Sequence, residues 1–543
     1  MGDVEFTRFF WTGTEMHRLE GLKIRLSQRG INYIGTLAGN VIDQVVPNMQ
    51  LPPIDRTLPD NKGEVELRDL RVTMYKRPDV LAMRLLPPNT IRWTMRGMSM
   101  AVKGHIKGQY IVVLPLDFEG ELSFRTDGIH FQMEIDVDKT YDGHPAVRAK
   151  SCHATIQSMD LTLDNAGVFG LLLGVFKQMA IDQIKPELTQ ELCRQTQAIV
   201  DAQFQFPIVG AETFQVFRAQ ALTGREEGQT PNFMKGLKSV NLFDLTGSNP
   251  PAKPTDNATG LWLDYSLQEP PQVRSQYIEM EGKGEVSWGA RGHTPFYPTM
   301  MNENVFYPNR MLYILASDYL LNSLMYHAFR NGLLRFELTP ESPGVGDFLK
   351  TTCFSLDLEL CLGDLIDGLA DAYPDRDLEL IFYPTRSPAF FFKERDKTDI
   401  DVKGALFIFV RGLRPSEKIQ VLASQVDLKA EAKVRMTSGK LLGEVKMKEF
   451  NMTLRRSRVA EITQESLNEL APMAGGIVEG LANDMLSNGL PMPSMGGGAK
   501  LVYPTMRIMD RMVRMETDLE IDSRRIAEFA REAISRGPSG FGG

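Results

Sequence analysis

The sequence predicts an α+β protein of two elongated domains, in each of which an antiparallel sheet is covered by long helices. An order of helix, antiparallel strands and helix occurs twice along the chain, which predicts two similar units. The strands alternate polar and apolar residues, as in sheets with one wet face and one apolar face. A chain of 543 residues is also too long for a single core, which favours two large domains.

The first half begins with a strand and a helix. Residues 19–27 alternate like a half-buried strand. Apolar residues then recur at helical spacing until Pro47 ends the pattern. We expect this helical face to contact a ligand, although plain core packing would need the same residue types. Its members are Ile31, Ile34, Leu37, Val41, Ile42 and Val45.

A long antiparallel meander and a second helix follow. The polar–apolar alternation is clearest at residues 64–67, 92–95, 121–124 and 130–137, and it ends near Leu163. From Val168 a helix begins that is apolar almost all round through Phe176 and amphipathic beyond Pro186. Such a segment has to be buried on every side, by protein or by ligand. We expect ligand contact at Val168, Phe169, Leu172, Val175 and Phe176.

A connector and a second unit complete the chain. Glycines and prolines interrupt short strands at 238–245 and 261–267, which is typical of connecting structure. A helix is then predicted over 309–334, with Leu312, Leu315 and Leu320 facing a ligand. Strands are predicted at 352–360, 378–382, 400–409, 419–428, 431–436 and 444–454. The closing helix, 462–486, would present Ile477, Val478 and Leu481 to a ligand.

Composition and charge exclude several classes of protein. The formal net charge is −8 and neither half is basic, so we expect no nucleic-acid partner. The longest apolar candidate, 166–176, is well short of the roughly 20 residues that cross a bilayer. Asp3, Glu5 and Arg8 stand where a signal peptide would be apolar. This indicates either an intracellular protein or a start that is processed or truncated.

The cysteines form two local pairs by spacing, Cys152 with Cys193 and Cys353 with Cys361. Buried free thiols and two disulfides both fit this pattern, and disulfides would indicate an oxidising compartment. None of the four has the CxxC or histidine spacing of a zinc site, so we expect no metal. Asn257 and Asn451 each begin a glycosylation sequon.

The sequence lacks the motifs of the common enzyme classes. It contains no GxSxG elbow, no HExxH and no phosphate-binding loop, so we expect no catalysis. A basic stretch without acidic residues lies between Val80 and Leu116. It predicts a patch that contacts lipid headgroups at the membrane surface, although a solvated strand face beside acidic neighbours would look the same. The patch consists of Arg92, Trp93, Arg96, Lys103 and Lys107.

The order of these elements over about residues 19–521 resembles the family of bactericidal/permeability-increasing protein, lipopolysaccharide-binding protein and the phospholipid and cholesteryl ester transfer proteins. Three motifs carry the resemblance: Cys152 with Cys193, the segment Tyr326-His-Ala-Phe-Arg-Asn-Gly-Leu-Leu334, and the turn Asn488-Gly-Leu-Pro-Met-Pro493. The missing signal peptide and the additional Cys353 and Cys361 depart from the family's pattern.

The resemblance implies a boomerang of two elongated barrels, each a highly curved antiparallel sheet wrapped on long helices, joined by a central antiparallel sheet. It implies that Cys152 and Cys193 are disulfide-bonded, and that each barrel has an apolar pocket for phospholipid or another amphipathic lipid. We place an N-terminal segment at 1–18, the first barrel at 19–210, the connector and central sheet at 211–270, the second barrel at 271–522 and a disordered tail at 523–543.

The predicted function is therefore lipid binding, with lipid carried or transferred between membranes or particles. The alternative is a protein that sequesters or recognises a microbial or signalling lipid without transferring it. The expected partners are the lipid itself and, transiently, a membrane or lipoprotein surface, with no cofactor besides the bound lipid. Paired cysteines, two sequons and the family resemblance favour a secreted protein.

Overall fold

The computed structural model describes most of the chain between residues 20 and 522. The described residues are 20–48, 51, 53–57, 63–111, 115–164, 168–201, 213–217, 260–289, 292–301, 303, 308–342, 346, 348–353, 361–412, 414, 417–437, 440–487, 489–491 and 499–522. The predicted N-terminal segment 1–18, the tail 523–543 and the strand at 238–245 lie outside them.

The first half contains long strands between two helices. Strand β1 is Leu22–Ser27 and helix α1 is Gln28–Val45. The strands that follow are β2 Ile54–Thr57, β3 Gly63–Lys76, β4 Val80–Leu86, β5 Thr90–Ile111, β6 Pro115–Lys139 and β7 Pro145–Asp164. Helix α2 is Val168–Asp201. The predicted helices and the meander are therefore confirmed, and two predicted strands, 121–124 and 130–137, are parts of the single strand β6.

Short strands connect the halves. They are β8 Thr213–Phe217, β9 Leu261–Asp264, β10 Gln272–Val273, β11 Tyr277–Gly282, β12 Glu285–Trp288 and β13 Leu312–Ser317. Helix α3, Asp318–Arg330, follows β13 directly, and β14 is Phe336–Leu338. Two single-turn helices come next, α4 Leu362–Leu365 and α5 Leu369–Ala372.

The second half again has long strands and a covering helix. The strands are β15 Leu378–Pro384, β16 Ala389–Lys393, β17 Lys397–Arg411, β18 Lys418–Thr437 and β19 Lys440–Ser457. Helix α6 is Gln464–Ser487, and the chain closes with β20 Leu490–Pro491, β21 Ala499–Met509 and β22 Met512–Ile521. The predicted closing helix is confirmed, and the strands predicted at 419–428 and 431–436 are one strand, β18.

The predicted helix over 309–334 is wrong in its first part. Leu312 and Leu315 lie in strand β13, which pairs with β1 on one side and β22 on the other. A central strand buried on both faces has a continuous apolar sequence, which periodicity cannot distinguish from a buried helix. Of the strand predicted at 352–360, residues 354–360 lie outside the described part of the chain.

The strands in the described part of the chain form four sheets. The first sheet has the order β2-β3-β5-β6-β7, with β4 also pairing with β5, and the second has the order β14-β15-β17-β18-β19-β20, with β16 pairing with β17. A third, the linking sheet, has the order β10-β11-β1-β13-β22-β21, and β12, β9 and β8 form a small fourth sheet. The protein is thus α+β with antiparallel sheets, as predicted. The predicted domain limits stay predictions.

Buried ion pairs hold the linking sheet together. Arg25 Nε on β1 lies 2.5 Å from Glu279 Oε2 on β11, and the guanidinium of Arg25 also contacts Glu303. Glu303 accepts a second hydrogen bond from Arg514 Nη1 on β22, at 2.6 Å. The sheet therefore joins strands from both ends of the described chain, through side chains as well as through backbone pairing.

Candidate functional site

The inner face of the first sheet is the face that contacts both helices. Met95 on β5, Phe131 and Met133 on β6 and Ile156 on β7 are buried on it. They form one cluster with residues of both helices, which are Ile42 of α1 and Leu188, Leu192 and Val200 of α2. The opposite face is polar: Arg92 Nη2 lies 2.8 Å from Glu134 Oε1 there. Strand alternation alone separates these two faces.

A disulfide joins this inner face to helix α2. Cys152 on β7 is bonded to Cys193 on α2, with 5.7 Å between their Cα atoms. The pairing that the resemblance implied is therefore confirmed. Cys353 and Cys361 also form a disulfide, although their spacing alone left free thiols open. Disulfide sulfurs are not thiolates, so the proximity of Asp364 to this second pair does not make a zinc site.

Helix α1 lies against the edge strand β4. Its N-cap is Ser27, whose side chain accepts a hydrogen bond from the backbone N–H of Gly30. A Cβ placed on Gly39 would lie 2.9 Å from Leu81 Cδ2 on β4, and one on Gly35 would lie 3.5 Å from Met83 Cγ. Glycine therefore permits the close approach of helix and strand. At the far end of α1, the hydroxyl of Tyr75 donates to Asp43 Oδ1 at 2.7 Å.

The predicted ligand-facing residues of the two helices have different surroundings. Ile31 is buried in a cluster with Leu85, Val137, Val273 and Ile278 and is a core residue. Leu37 and Val41 are buried as well, whereas Ile34 and Ile42 are partly exposed. The side chains of Val45, Val168, Phe169, Leu172, Val175 and Phe176 lie outside the described part of the chain, so their predicted contact with ligand stays a prediction.

Several apolar side chains of the inner face are only partly covered. We call this set the first groove; it consists of Met83, Ile91, Trp93, Ile135 and Ala149. Trp93, Ile135 and Ala149 pack against the cluster that contains residues of both helices, and Met83 and Ile91 pack against the cluster around Ile31 of α1. An apolar side chain that faces the covered side of a sheet and is still accessible borders open space there. Part of the apolar inner face is therefore accessible beside the buried clusters of the first sheet.

Helix α6 covers the second sheet in a similar way. At its start, Leu467 and Leu470 are buried, 1% and 7% exposed, in an apolar cluster with residues of the second sheet. Farther along, Ala474 and Ala482 still pack on the sheet, yet Val478, four residues from each, is 37% exposed. We call Ile477, Val478 and Leu481 the second groove, because all three are apolar and partly accessible on or beside this sheet-facing stripe.

Of the remaining predicted apolar site residues, two are core residues and the third is partly buried against a core cluster. Leu312 and Leu315 are buried in the linking sheet, 3% and 0% exposed. Leu320 of α3 packs against the cluster of Leu261, Val286 and Leu324. These three residues were expected to face a ligand on one continuous helix. The strand assignment of 312–317 removes that geometry for the first two, and helix–sheet packing accounts for the third.

Trp93 does not share a face with Arg92, and the basic residues of the predicted headgroup patch are spread along strand β5. Trp93 points to the inner face, and its ring meets Phe131 edge-on, with 5.4 Å between the ring centroids. Arg92 is on the opposite face in its pair with Glu134. Along β5, Arg96 and Lys107 are eleven residues apart, about 36 Å on an extended strand. Lys103 and Lys107 are exposed, and Lys107 lies opposite Glu66 and Glu119, as expected of a solvated face beside acidic neighbours.

Of the two predicted glycosylation sequons, only the one at Asn451 lies in the described part of the chain. Asn257 lies outside the described residues. Asn451 is exposed on strand β19, opposite Asp427 of β18.

Within the described part of the chain, no helix combines the length and apolarity needed to cross a membrane.

Sequence comparisons decide the family. Residues 30–202 match the N-terminal domain of the LBP / BPI / CETP family, and residues 255–521 match its C-terminal domain. The two matches are in the order of the two covered sheets.

The chain belongs to the LBP / BPI / CETP family.

Relatives within this family are distant but extend over nearly the whole chain. The chain is 22% identical to the bactericidal permeability-increasing protein of Sebastes schlegelii over 510 residues, which is 92% of this chain and 95% of that one. It is 23% identical to the human lipopolysaccharide-binding protein over 483 residues, 87% and 88% of the two chains. The crystal structure of lipopolysaccharide binding protein aligns at 18% identity with a TM-score of 0.49, covering 93% of this chain and 99% of that one.

The sequence analysis did not identify most of the residues of the first groove. It named the helical residues and assigned Trp93 to a headgroup patch, but it did not name Met83, Ile91, Ile135 or Ala149. A signal for two of them was present: Ile135 alternates with the polar residues of the predicted strand 130–137, and Ile91 precedes the strand 92–95 in the same register. Which of the inward residues remain partly open depends on the helix positions, which alternation does not give.

Proposed function

We propose that this protein binds one amphipathic lipid in each half, between the inner face of a long sheet and its helices, and carries it between membranes. The observation that carries the proposal is the exposure of inward apolar residues in both grooves, with Val478 at 37%. Solvating such surface is unfavourable, at about 25 cal/mol per Å². A guest hydrocarbon would remove it from water without rearranging the sheets.

The spacing of the strands supports room for an acyl chain in the first half. Near Trp93 the strands run β4-β5-β6-β7, with α1 packed mainly on β4 and α2 mainly on β7. These edge strands are three spacings apart, about 14 Å, and a helix with its side chains is about 10 Å wide. We propose that an acyl chain lies beside the partly accessible inward side chains of β5 and β6, which are Ile91, Trp93 and Ile135.

The energetics of lipid transport support a covered apolar groove. Each buried CH₂ is worth about 0.8 kcal/mol, so a chain of about sixteen carbons in water is unfavourable by roughly 12 kcal/mol. A carrier lowers this barrier only when its apolar surface is already shaped for the chain. The disulfide from β7 to α2 would hold one wall of the groove in place when the groove is empty. We propose that the protein does this without catalysis.

We also propose that the protein has the two-barrel arrangement that the family resemblance implies. Each long sheet would curl around its helices into a barrel, and the linking sheet would join the two barrels as a boomerang. Bulges in β5, β6, β18 and β19 bend and twist strands, which favours curled sheets. The two disulfides favour an oxidising compartment, and we propose that the protein is secreted.

Transfer and binding are separated by one experiment. Detergent-free protein is mixed with donor vesicles that carry a self-quenched fluorescent phosphatidylcholine and with unlabelled acceptor vesicles. If the protein is a carrier, the rate of dequenching rises in proportion to the protein concentration, even when protein is far less abundant than lipid. Protein that copurifies with lipid in native mass spectrometry but leaves the rate unchanged is not a carrier.

A second function is favoured by several of the relatives, including the human protein. They are named for binding lipopolysaccharide, a microbial lipid, so recognition without transfer is the alternative. Saturable binding of lipopolysaccharide with no transfer of phosphatidylcholine would select this alternative. Failure to bind either lipid would contradict both functions.

A further inference from the structure

The outer face of the second sheet carries a cross-strand row of lysines. The inner face is the one on which Ala432 and Val445 are buried with side chains of α6, and strand alternation turns their neighbours outward. On the outer face, Lys393 of β16 lies opposite Lys397 of β17, which in turn lies opposite Lys433 of β18. Like charges directly opposite each other destabilise a sheet. An anion brought from outside would relieve this repulsion.

Other cations continue this row along the same face. Arg435 is two residues beyond Lys433 on β18 and lies opposite Leu442, while Lys446 of β19 lies opposite Glu431. We call this set of side chains the cationic face; its members are Lys393, Lys397, Lys433, Arg435, Lys446 and Lys448. All of them except Lys397 are exposed. The cations therefore form an accessible surface that extends over the strands from β16 to β19.

Acidic side chains on this face are too few to neutralise it. The same cross-strand rows contain Asp399, Glu431 and Glu444, three acids for six cations. Glu431 accepts a hydrogen bond from Lys397 Nζ at 2.9 Å and lies 3.7 Å from Lys448 Nζ. The pKa of Glu431 is lowered, first because Lys397 donates this hydrogen bond to it. Within the described part of the chain, the members of the cationic face that form no ion pair are Lys393, Lys433, Arg435 and Lys446.

The outer face of the first sheet has the opposite charge. Its cross-strand rows over β3, β5 and β6 contain five acids and two cations, which are Glu64, Glu66, Asp117, Glu119 and Glu121 with Arg68 and Lys107. The whole chain has a formal net charge of −8. The excess of positive charge on the second sheet is therefore a local feature and not a property of the whole protein.

We propose that the cationic face docks the second half of this protein on membranes that contain anionic lipid. The cations are spread out, with Lys433 and Arg435 about 7 Å apart along the strand, and they do not converge on one point. Such an arrangement fits many separate headgroups better than one small anion, because each flexible lysine side chain can reach a different headgroup. The inference goes beyond the proposed function, since docking requires no lipid in either groove.

Two of the unpaired cations are the best residues to substitute. Each lysine or arginine near an anionic bilayer strengthens binding by about fivefold. Lys433→Gln with Arg435→Gln removes two such charges, so binding to anionic vesicles should weaken by about 25-fold. Arg68→Gln with Lys107→Gln is the matched control: it makes the same change in net charge at two exposed residues of the first sheet. This control should bind the vesicles as the wild type does.

The test uses the full chain and two kinds of vesicle, phosphatidylcholine alone and phosphatidylcholine mixed with phosphatidylglycerol. Co-sedimentation measures the fraction of protein bound to each, and thermal unfolding verifies that both double variants are folded. The wild type should bind the mixed vesicles in preference to the neutral ones, and added salt should weaken this binding by screening the charges. Val478→Asp, which alters the second groove, should bind the mixed vesicles as the wild type does.

The outcomes separate the inference from the proposed function. Equal binding of the wild type to both kinds of vesicle overturns the inference, and so does equal weakening in the two double variants, because net charge alone would then explain the binding. Binding to immobilised heparin without binding to mixed vesicles also overturns it, since the partner would be a soluble polyanion. Protein that docks on mixed vesicles but never holds lipid in native mass spectrometry supports the inference and contradicts the proposed function.

Discussion

Cys152 and Cys193 join the inner face of the first sheet to the helix above it, with their Cα atoms 5.7 Å apart. Cys152 lies in the same cross-strand row as Trp93 and Met133. The disulfide is thus a structural part of the first groove, and it fixes α2 beside the residues that we propose contact lipid.

Removal of this disulfide should destabilise the protein and loosen the groove. The bond spans 41 residues, for which chain entropy gives about 4 kcal/mol of stabilisation. Cys152→Ala with Cys193→Ala should lower the free energy of unfolding by about that amount in urea, and should reduce copurifying lipid. Cys353→Ala with Cys361→Ala is the control: its loop of 8 residues gives about 2.5 kcal/mol, and lipid content should be unchanged. Equal lipid loss in both variants would contradict a specific role of the first bond.

A charge in the second groove should expel its lipid. Val478→Asp places a carboxylate among partly covered apolar side chains, where an acyl chain would have to desolvate it. We expect at least a tenfold loss of lipid from the second half, with little change in the unfolding midpoint. Met473→Asp is the control: Met473 is 38% exposed, against 37% for Val478, but lies about 140° away around the helix. Loss of lipid in both variants, or in neither, would contradict the position of the groove.

Two adjacent glycines of α6 should respond differently to alanine. A Cβ on Gly476 would meet no atom within 4 Å, whereas one on Gly475 would lie 3.0 Å from Phe450 Cβ. Alanine is favoured over glycine in a helix by about 1 kcal/mol. Gly476→Ala should therefore raise the free energy of unfolding by about 0.5–1 kcal/mol, while Gly475→Ala should lose that gain to the contact with Phe450. Thermal unfolding of the two variants measures the difference, and equal stabilisation would show that α6 packs less closely than the structure indicates.

The buried pair of Asp318 and Arg511 should make stability depend on pH. Asp318 is 1% exposed at the start of α3, and Arg511 Nε lies 2.5 Å from its Oδ2. Burial raises the pKa of Asp318 above its usual value, although Arg511 opposes the shift. Arg511→Ala would leave an unpaired buried carboxylate, which costs about 3–5 kcal/mol, and would raise that pKa further.

The sign of the pH effect in this variant follows from proton binding. A carboxyl with a raised pKa binds its proton more tightly in the folded state, so folding gains stability as the pH falls toward that pKa. The loss of unfolding free energy caused by Arg511→Ala should therefore be largest at about pH 7.5 and smaller at about pH 5. The double variant Asp318→Asn with Arg511→Ala has no titrating group at this pair, so its loss of unfolding free energy should change less with pH. A loss in Arg511→Ala that grows as the pH falls would contradict this account.

Much of the fold could be predicted from the sequence because alternation and helical periodicity are local properties. The long strands β5, β6 and β7 and the helices α1, α2 and α6 follow directly from them. The helix predicted through Leu312 failed because a strand buried on both faces has no alternation to detect. The linking sheet was not predictable from local pattern, since β1 and β22 come from opposite ends of the chain.

The candidate site was predicted less well than the fold. The helical residue Ile31 has the right periodicity but is a core residue, and Trp93 was assigned to the wrong face. Whether an inward apolar residue is covered depends on how far apart two helices lie, which is a tertiary property. Val478 illustrates this, because it has the same helical spacing as Leu470, which is buried, and Ala474, which is partly buried against the sheet.

The most direct test of the central claim is fluorescence quenching by a phosphatidylcholine brominated on its acyl chains. Bromine quenches an indole only in near contact, so lipid in the first groove should lower tryptophan emission relative to unbrominated lipid. Trp93→Phe should remove most of that difference. Equal emission with both lipids, in protein shown by mass spectrometry to hold them, would contradict the claim that lipid lies against the inner face of the first sheet.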